Sequence, residues 1–275
     1  MFFSLLILAF IALSNSGFAQ SEVSGALAGI VFLDTDSNGT RGPGEDGLSG
    51  VLVCSRSNCS ETDKDGAYEV DVEVGYSVVW VRQPDNYRAI QGFWRRIPAD
   101  PFEWLVNFPL ETEITYEGDL VKDFTFIHIS DLLALGTGSS RVDDEVEPRH
   151  RLKVLRDIVE NRKPDFLIVT GGLVRDNVKE STNDIRARFE LYKREILDLE
   201  VPVWNVPGGS DIAEHLIDQS KNLYRQIFGP NYYSFDYGGL HFMGLDTVKV
   251  DGERAEHLID DWYGYGFVRL NCDCR

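Results

Sequence analysis

The sequence predicts an α/β chain in two parts, a β-sandwich over residues 22–116 and an α/β unit over residues 120–275. Three observations carry that expectation. Up to residue 116, apolar residues fall in short alternating runs separated by Gly, Asn and Asp, with no sustained helical period. From Lys122 onward, apolar strand-like runs alternate with amphipathic helical stretches, the pattern of a parallel sheet. An apolar content of 43% with 12% aromatics supplies core for both parts and excludes disorder as the main state.

The chain opens on Met1–Leu13, MFFSLLILAFIAL, a single apolar block followed by the polar stretch SNSGFAQ. The block is shorter than the roughly 20 residues a membrane span needs. Gly17 and Ala19 form a small-x-small pattern, so residues 1–19 read as a secretory signal peptide cleaved after Ala19, although no Lys or Arg precedes the apolar block. The expected location is secreted or periplasmic, with no membrane attachment after cleavage. The chain carries 27 Lys+Arg against 45 Asp+Glu, a net charge of −18. That balance disfavours phosphate backbones and anionic lipid surfaces, so no nucleic-acid partner is expected.

In the first part the strand candidates are ALAGIVFLD, GVLVC, GAYEVDVEV and YSVVWVRQP. Between the first two sits DTDSNGTRGPGE, which matches D-x-D-x-N-G-x5-E, the twelve-residue calcium loop. Asp34, Asp36 and Asn38 would supply side-chain oxygens, Thr40 its backbone carbonyl and Glu45 a bidentate carboxylate, with Gly39 permitting the sharp turn. Hard oxygen donors of this kind suit Ca²⁺. Gly42 stands at the ninth position, and Pro43 and Gly44 oppose an exiting helix, so the loop is not an EF-hand. The same residues also fit an acidic, glycine-rich turn with no ion. Cys54 and Cys59 bracket four turn-type residues, and a hairpin there would bring them within disulfide reach in an oxidising compartment. Two free thiols are the alternative. Cys272 and Cys274 receive no role.

The stretch GIVFLDTDSNGTRGPGEDGLSGVLV followed by TDKDGAYEV resembles the calcium-stabilised B-type domains of bacterial surface adhesins. It is also similar to the N-terminal domain of a group of secreted calcineurin-like phosphoesterases. The likeness covers most of residues 28–82. It implies that the first part is structural rather than catalytic.

In the second part, DFTFIHIS, DFLIVTGG and PVWNVPGG read as strands. Arg149–Arg162 reads as a helix with Leu152, Leu155, Ile158 and Val159 on one face. Ile185, Phe189, Tyr192, Ile196 and Leu199 mark a second helix, and Leu216, Ile217, Leu223, Ile227 and Phe228 a third. YYSFDYGGLHFMGLDT reads as a hairpin turning at Gly238-Gly239. Chemistry in such sheets gathers at the C-terminal strand ends, here ISDLL, VTGGLV and VPGGSD.

These strand ends, in this order, resemble the calcineurin-like metallophosphoesterase family, over roughly residues 28–263. The resemblance implies a two-metal site that binds a phosphate ester and activates a bridging water. The family's ligands come from D-x-H, G-D, G-N-H-D/E and later histidines, including a G-H-x-H. Carried onto this chain, Asp131 stands at the first ligand position, but Leu133 replaces the histidine. Gly172 replaces the metal-bridging aspartate, Gly209 the asparagine and Ser210 the next histidine. Asp211 matches a position that supports the site rather than binding metal. No G-H-x-H follows, and FVRLNCDCR, which ends at Arg275, falls outside the resemblance. The family's α/β sandwich is therefore expected to be incomplete, its dinuclear transition-metal site absent and its hydrolysis of phosphate esters lost. Asp131 is a remnant ligand. His128, His150, His215, His241 and His257 read as surface or internally bonded histidines. Two other readings stand beside an inactive hydrolase: a non-catalytic, calcium-stabilised binding or adhesion module, and a truncated gene product. The sequence names no protein partner, and a phosphate-ester substrate follows from the resemblance alone.

Overall fold

The structure, a computed structural model, describes residues 25–72, 76–100, 104–114, 116–117, 120–121, 123–132, 143–174, 181–248 and 267–272. The expected signal peptide, Leu133, His257 and Cys274 lie outside these residues. The described chain is mixed α/β, with strands in several sheets and three helices. No described helix is long and apolar enough to cross a membrane.

The first eight strands are β1 (Gly25–Leu33), β2 (Leu52–Ser55), β3 (Asn58–Glu61), β4 (Ala67–Val72), β5 (Val78–Val81), β6 (Tyr87–Ala89), β7 (Trp94–Arg96) and β8 (Phe108–Thr112). They form two four-stranded sheets, ordered β4-β1-β8-β6 and β3-β2-β5-β7. Leu27, Val31, Val70 and Phe108 from the first pack with Val53, Val79 and Val81 from the second in one apolar cluster. The strict alternation of β4 follows from that cluster: Tyr68, Val70 and Val72 are buried, whereas Glu69 and Asp71 face solvent. β5 does not alternate and is buried along its whole length. Val79 and Val81 enter this cluster, while Trp80 enters a second one on the other face of its sheet.

A short pair, β9 (Tyr116–Glu117) and β10 (Leu120–Val121), precedes the second part. There β11 (Phe126–Ile129), β12 (Phe166–Thr170) and β13 (Val203–Val206) form a parallel sheet in that order. The crossovers contain α1 (Asp143–Arg162) and α2 (Thr182–Leu197), and α3 (Ile217–Phe228) follows β13. The first helix starts earlier than its sequence period predicts; the other two fall where the apolar stripes place them. α2 is started by a reciprocal box in which the Ser181 hydroxyl accepts from the Asp184 N–H and the Asp184 carboxylate accepts from the Ser181 N–H. Leu155, Phe189, Tyr192 and Leu223 pack with Leu167 and Val169 on one face of the sheet. β14 (Tyr233–Tyr237) and β15 (Leu240–Leu245) make the expected hairpin, with Gly238-Gly239 as its turn, and β16 (Phe267–Cys272) adds antiparallel to β15.

The sequence does not foretell how closely the two parts are joined. Trp80 and Cys54 share one aromatic cluster with Phe166, Trp204, Phe235 and Phe242, and Phe93 packs against it. Trp204 stacks on Phe235 with ring centroids 3.7 Å apart, and Phe93 lies 4.5 Å from Trp204. Backbone and charge reinforce the contact. The Asp236 N–H donates to the Gln83 carbonyl at 2.8 Å, and Arg82 holds both Asp236 carboxylate oxygens at 3.0 Å. His241 Nδ1 stands 2.6 Å from Asp236 Oδ1 and 3.3 Å from the Arg82 guanidinium. An alternating sequence shows that a strand has two faces, but it does not identify what covers each one.

Candidate functional site

Two places were singled out by sequence, and the structure treats them differently. The first is the loop after β1. The Asp34 N–H donates to the Leu110 carbonyl at 2.8 Å, which carries the sheet one residue past the strand and buries the Asp34 side chain. Asp34 Oδ2 accepts the Gly39 N–H at 2.6 Å, and Asp34 Oδ1 the Asn38 N–H at 3.3 Å. Burial acts to raise the pKa of Asp34, but hydrogen bonds led by that from Gly39 outweigh it and hold the carboxyl below its ordinary range. Glu45, also buried, accepts the Thr35 N–H at 2.8 Å and the Gly42 N–H at 2.7 Å. Asp36 is exposed and receives the Asn38 side-chain amide at 2.7 Å. Asp34, Asp36 and Glu45 each offer an oxygen within 4.8 Å of the others, the arrangement a single hard cation needs. Asn38 lies beside them, while Thr40 donates its N–H to Asn38 Oδ1 at 2.7 Å.

The nearby cysteines are joined. Cys54 and Cys59 pair directly across the β2–β3 hairpin, with an S–S distance of 2.04 Å and Cα atoms 4.1 Å apart. Ser55 and Asn58 also pair, so the turn is two residues long, with Arg56 at φ +56°.

The second place is the C-terminal edge of β11-β12-β13. It brings Asp131, Gly172 and the Gly208–Asp211 segment together. Asp131 is exposed and sits at φ +53°, its N–H donating to the Gly171 carbonyl at 3.1 Å. Gly172 has φ +62°, and a Cβ there would lie 2.5 Å from the Asp131 Cα and 2.7 Å from its Oδ1. A Cβ at Gly208 would lie 2.6 Å from the Gly171 Cα. These strand ends are shut against one another. Gly209–Asp211 forms one short 3-10 turn, and Asp211 turns inward. It is fully buried, and its carboxylate accepts the Val174 N–H at 2.9 Å and the Gly208 N–H at 2.8 Å. Burial raises its pKa to about 7, against the opposing pull of the backbone N–H groups of Val174, Gly208, Leu173 and Gly172.

The histidines do not converge here. His128 Nε2 stands 2.8 Å from the Thr170 hydroxyl. His150 and His215 are exposed on helical segments, and His241 belongs to the contact between the two parts. Among the described residues, the grouping of three or more metal-capable side chains is the Asp34–Asp36–Glu45 set.

Sequence reasoning found Asp131, Gly172 and Asp211 but missed that the gap between them is closed. The signal was present: Gly-Gly follows both β12 and β13, and paired glycines at adjacent strand ends allow backbones to approach. The Arg82–Asp236–His241 contact had no sequence signal, because Arg82 lies 154 residues before Asp236.

The fold and these sites define a mixed α/β protein with an acidic surface loop and closed strand ends. No known protein family matches the chain, and neither does any curated protein.

Proposed function

We propose that this is an exported, non-catalytic member of the calcineurin-like metallophosphoesterase lineage, in which a calcium-held β-sandwich braces an α/β unit that no longer hydrolyses phosphate esters. The observation that carries this reading is the lack of room at Gly172. A bridging carboxylate holds two dications close together by lying between them. Here even the first atom of such a side chain would collide with Asp131. The replacement of the other ligands by Leu133, Gly209 and Ser210 supports the same conclusion.

On this reading Ca²⁺ is held by Asp34, Asp36 and Glu45 with Asn38 and the Thr40 carbonyl, a set of hard oxygen donors suited to that ion. The strand ends take no transition metal. The test is elemental analysis of purified protein, with phosphomonoester and phosphodiester assays alongside. We expect calcium without stoichiometric manganese, iron or zinc, and no metal-dependent turnover. Calcium should raise the unfolding temperature, because a ligand that binds only the folded chain stabilises it by about 2.7 kcal/mol at a hundred times its Kd. Turnover that is abolished by Asp131→Ala would overturn the proposal.

A further inference from the structure

Asn38-Gly39 is the only Asn-Gly dipeptide in the chain. Elsewhere asparagine precedes a larger residue, such as Tyr87, Leu223 or Tyr232, whose side chain hinders approach to the following nitrogen. Gly39 has no side chain and lies at φ +78°, in the left-handed region. Three contacts surround the pair. The Gly39 N–H donates to Asp34 Oδ2 at 2.6 Å, Asn38 Oδ1 accepts the Thr40 N–H at 2.7 Å, and Asn38 Nδ2 donates to Asp36 Oδ2 at 2.7 Å. Asn38 is open to solvent. An acceptor therefore waits on the proton of a main-chain nitrogen, and a donor already polarises the neighbouring amide carbonyl.

We propose that Asn38 is a site of self-modification, at which the Gly39 nitrogen attacks the Asn38 side-chain amide and Asp34 assists as the base. A bond forms between the Gly39 nitrogen and Asn38 Cγ as the nitrogen yields its proton to Asp34. The Cγ–Nδ2 bond then breaks. The amide nitrogen leaves as ammonia, with the transferred proton returned to it through water. The remaining five-membered imide is opened by a water molecule at either carbonyl, giving aspartate or isoaspartate at position 38. Aspartate adds a negative charge among the loop's oxygens. Isoaspartate adds one carbon to the main chain and shifts every residue of the loop past it. Both products alter the one place where the described chain gathers three metal-capable carboxylates.

Calcium adds a gate to this chemistry. An ion bound to Asp34 and to Asn38 Oδ1 occupies the base and the carbonyl oxygen together. The gate rests on the calcium reading above; the cyclisation does not.

The experiment is peptide mapping by mass spectrometry of the full chain, incubated at neutral pH with EDTA and with excess calcium. With EDTA we expect the amide-to-acid mass gain at Asn38, with isoaspartate among the products, ahead of every other asparagine. Asp34→Asn keeps an oxygen acceptor but removes the base, and should slow conversion on the order of tenfold or more. An unchanged rate in Asp34→Asn would overturn the proposal. So would faster conversion in urea-unfolded wild type than in the folded chain, a comparison that needs no variant to fold. Protection by calcium establishes the gate. Equal conversion with and without calcium sinks the calcium reading and leaves the cyclisation standing.

Discussion

The loop after β1 and the closed edge of β11-β12-β13 both carry aspartates where a motif predicts metal chemistry, yet they use them in opposite ways. Asp34 and Glu45 are buried against the backbone N–H groups of their own loop, and the pKa of Asp34 is held down. Asp211 lies wholly inside, is spent on the amides of four neighbouring residues and has its pKa pushed up to about 7. The loop keeps one carboxylate, Asp36, open to solvent beside Asp34 and Glu45. Asp211 instead ties the segments that follow β12 and β13 together from inside the fold. A motif read from sequence therefore shows which residues stand at a strand end without showing whether a ligand atom has room there.

The comparison is most easily broken at Gly172. If the strand ends retain latent space for a bridging ligand, Gly172→Asp should fold and acquire metal affinity. We expect instead a loss of about 2–5 kcal/mol, combining left-handed strain with overpacking against Asp131. Urea unfolding of the metal-free variant measures it.

A smaller effect should follow pH. The folded pKa of Asp211 lies above its unfolded value, so the folded state binds the extra proton. The stability tied to that proton is fully present below pH 3.8 and is lost as pH rises toward about 7. Asp211→Asn should flatten that slope between these limits in a series of urea titrations. An unaltered slope would show that Asp211 is ionised throughout.

The smallest contrast sets one exposed carboxylate against one buried carboxylate. Asp34→Ala leaves the Gly39 and Asn38 N–H groups without their acceptor and should lower the unfolding temperature even without calcium. Asp131→Ala removes an exposed group and should stay within about 0.5 kcal/mol. Equal costs would mean that the two sites are built alike after all.

Much of this architecture was legible in the residues. The parallel pairing of β11, β12 and β13, the stripe of α2, the Gly238-Gly239 turn and the cross-hairpin cystine all follow from local pattern, because neighbours in sequence decide them. β6, β7 and β8 were not foreseen. β6 and β7 are three residues each, too short to show a period, and β8 contains Pro109. The acidic loop could be read as a unit because all its oxygens fall within twelve residues. The closure at Gly172 left only the paired glycines as a signal, since it depends on how near two backbones come, and a sequence shows glycine without showing what the missing side chain leaves room for.

The aromatic seam through Trp80, Phe93, Trp204 and Phe235 sets a limit on dissection of the chain. Expressed alone, residues 25–114 would present Trp80 and Phe93 to water, and residues 123–248 would present Trp204 and Phe235. Each fragment would carry the other's docking surface uncovered, an aggregation liability. The intact chain should melt in one calorimetric peak. A ligand that tightens the loop after β1 would then delay the melting of helices with which it makes no contact.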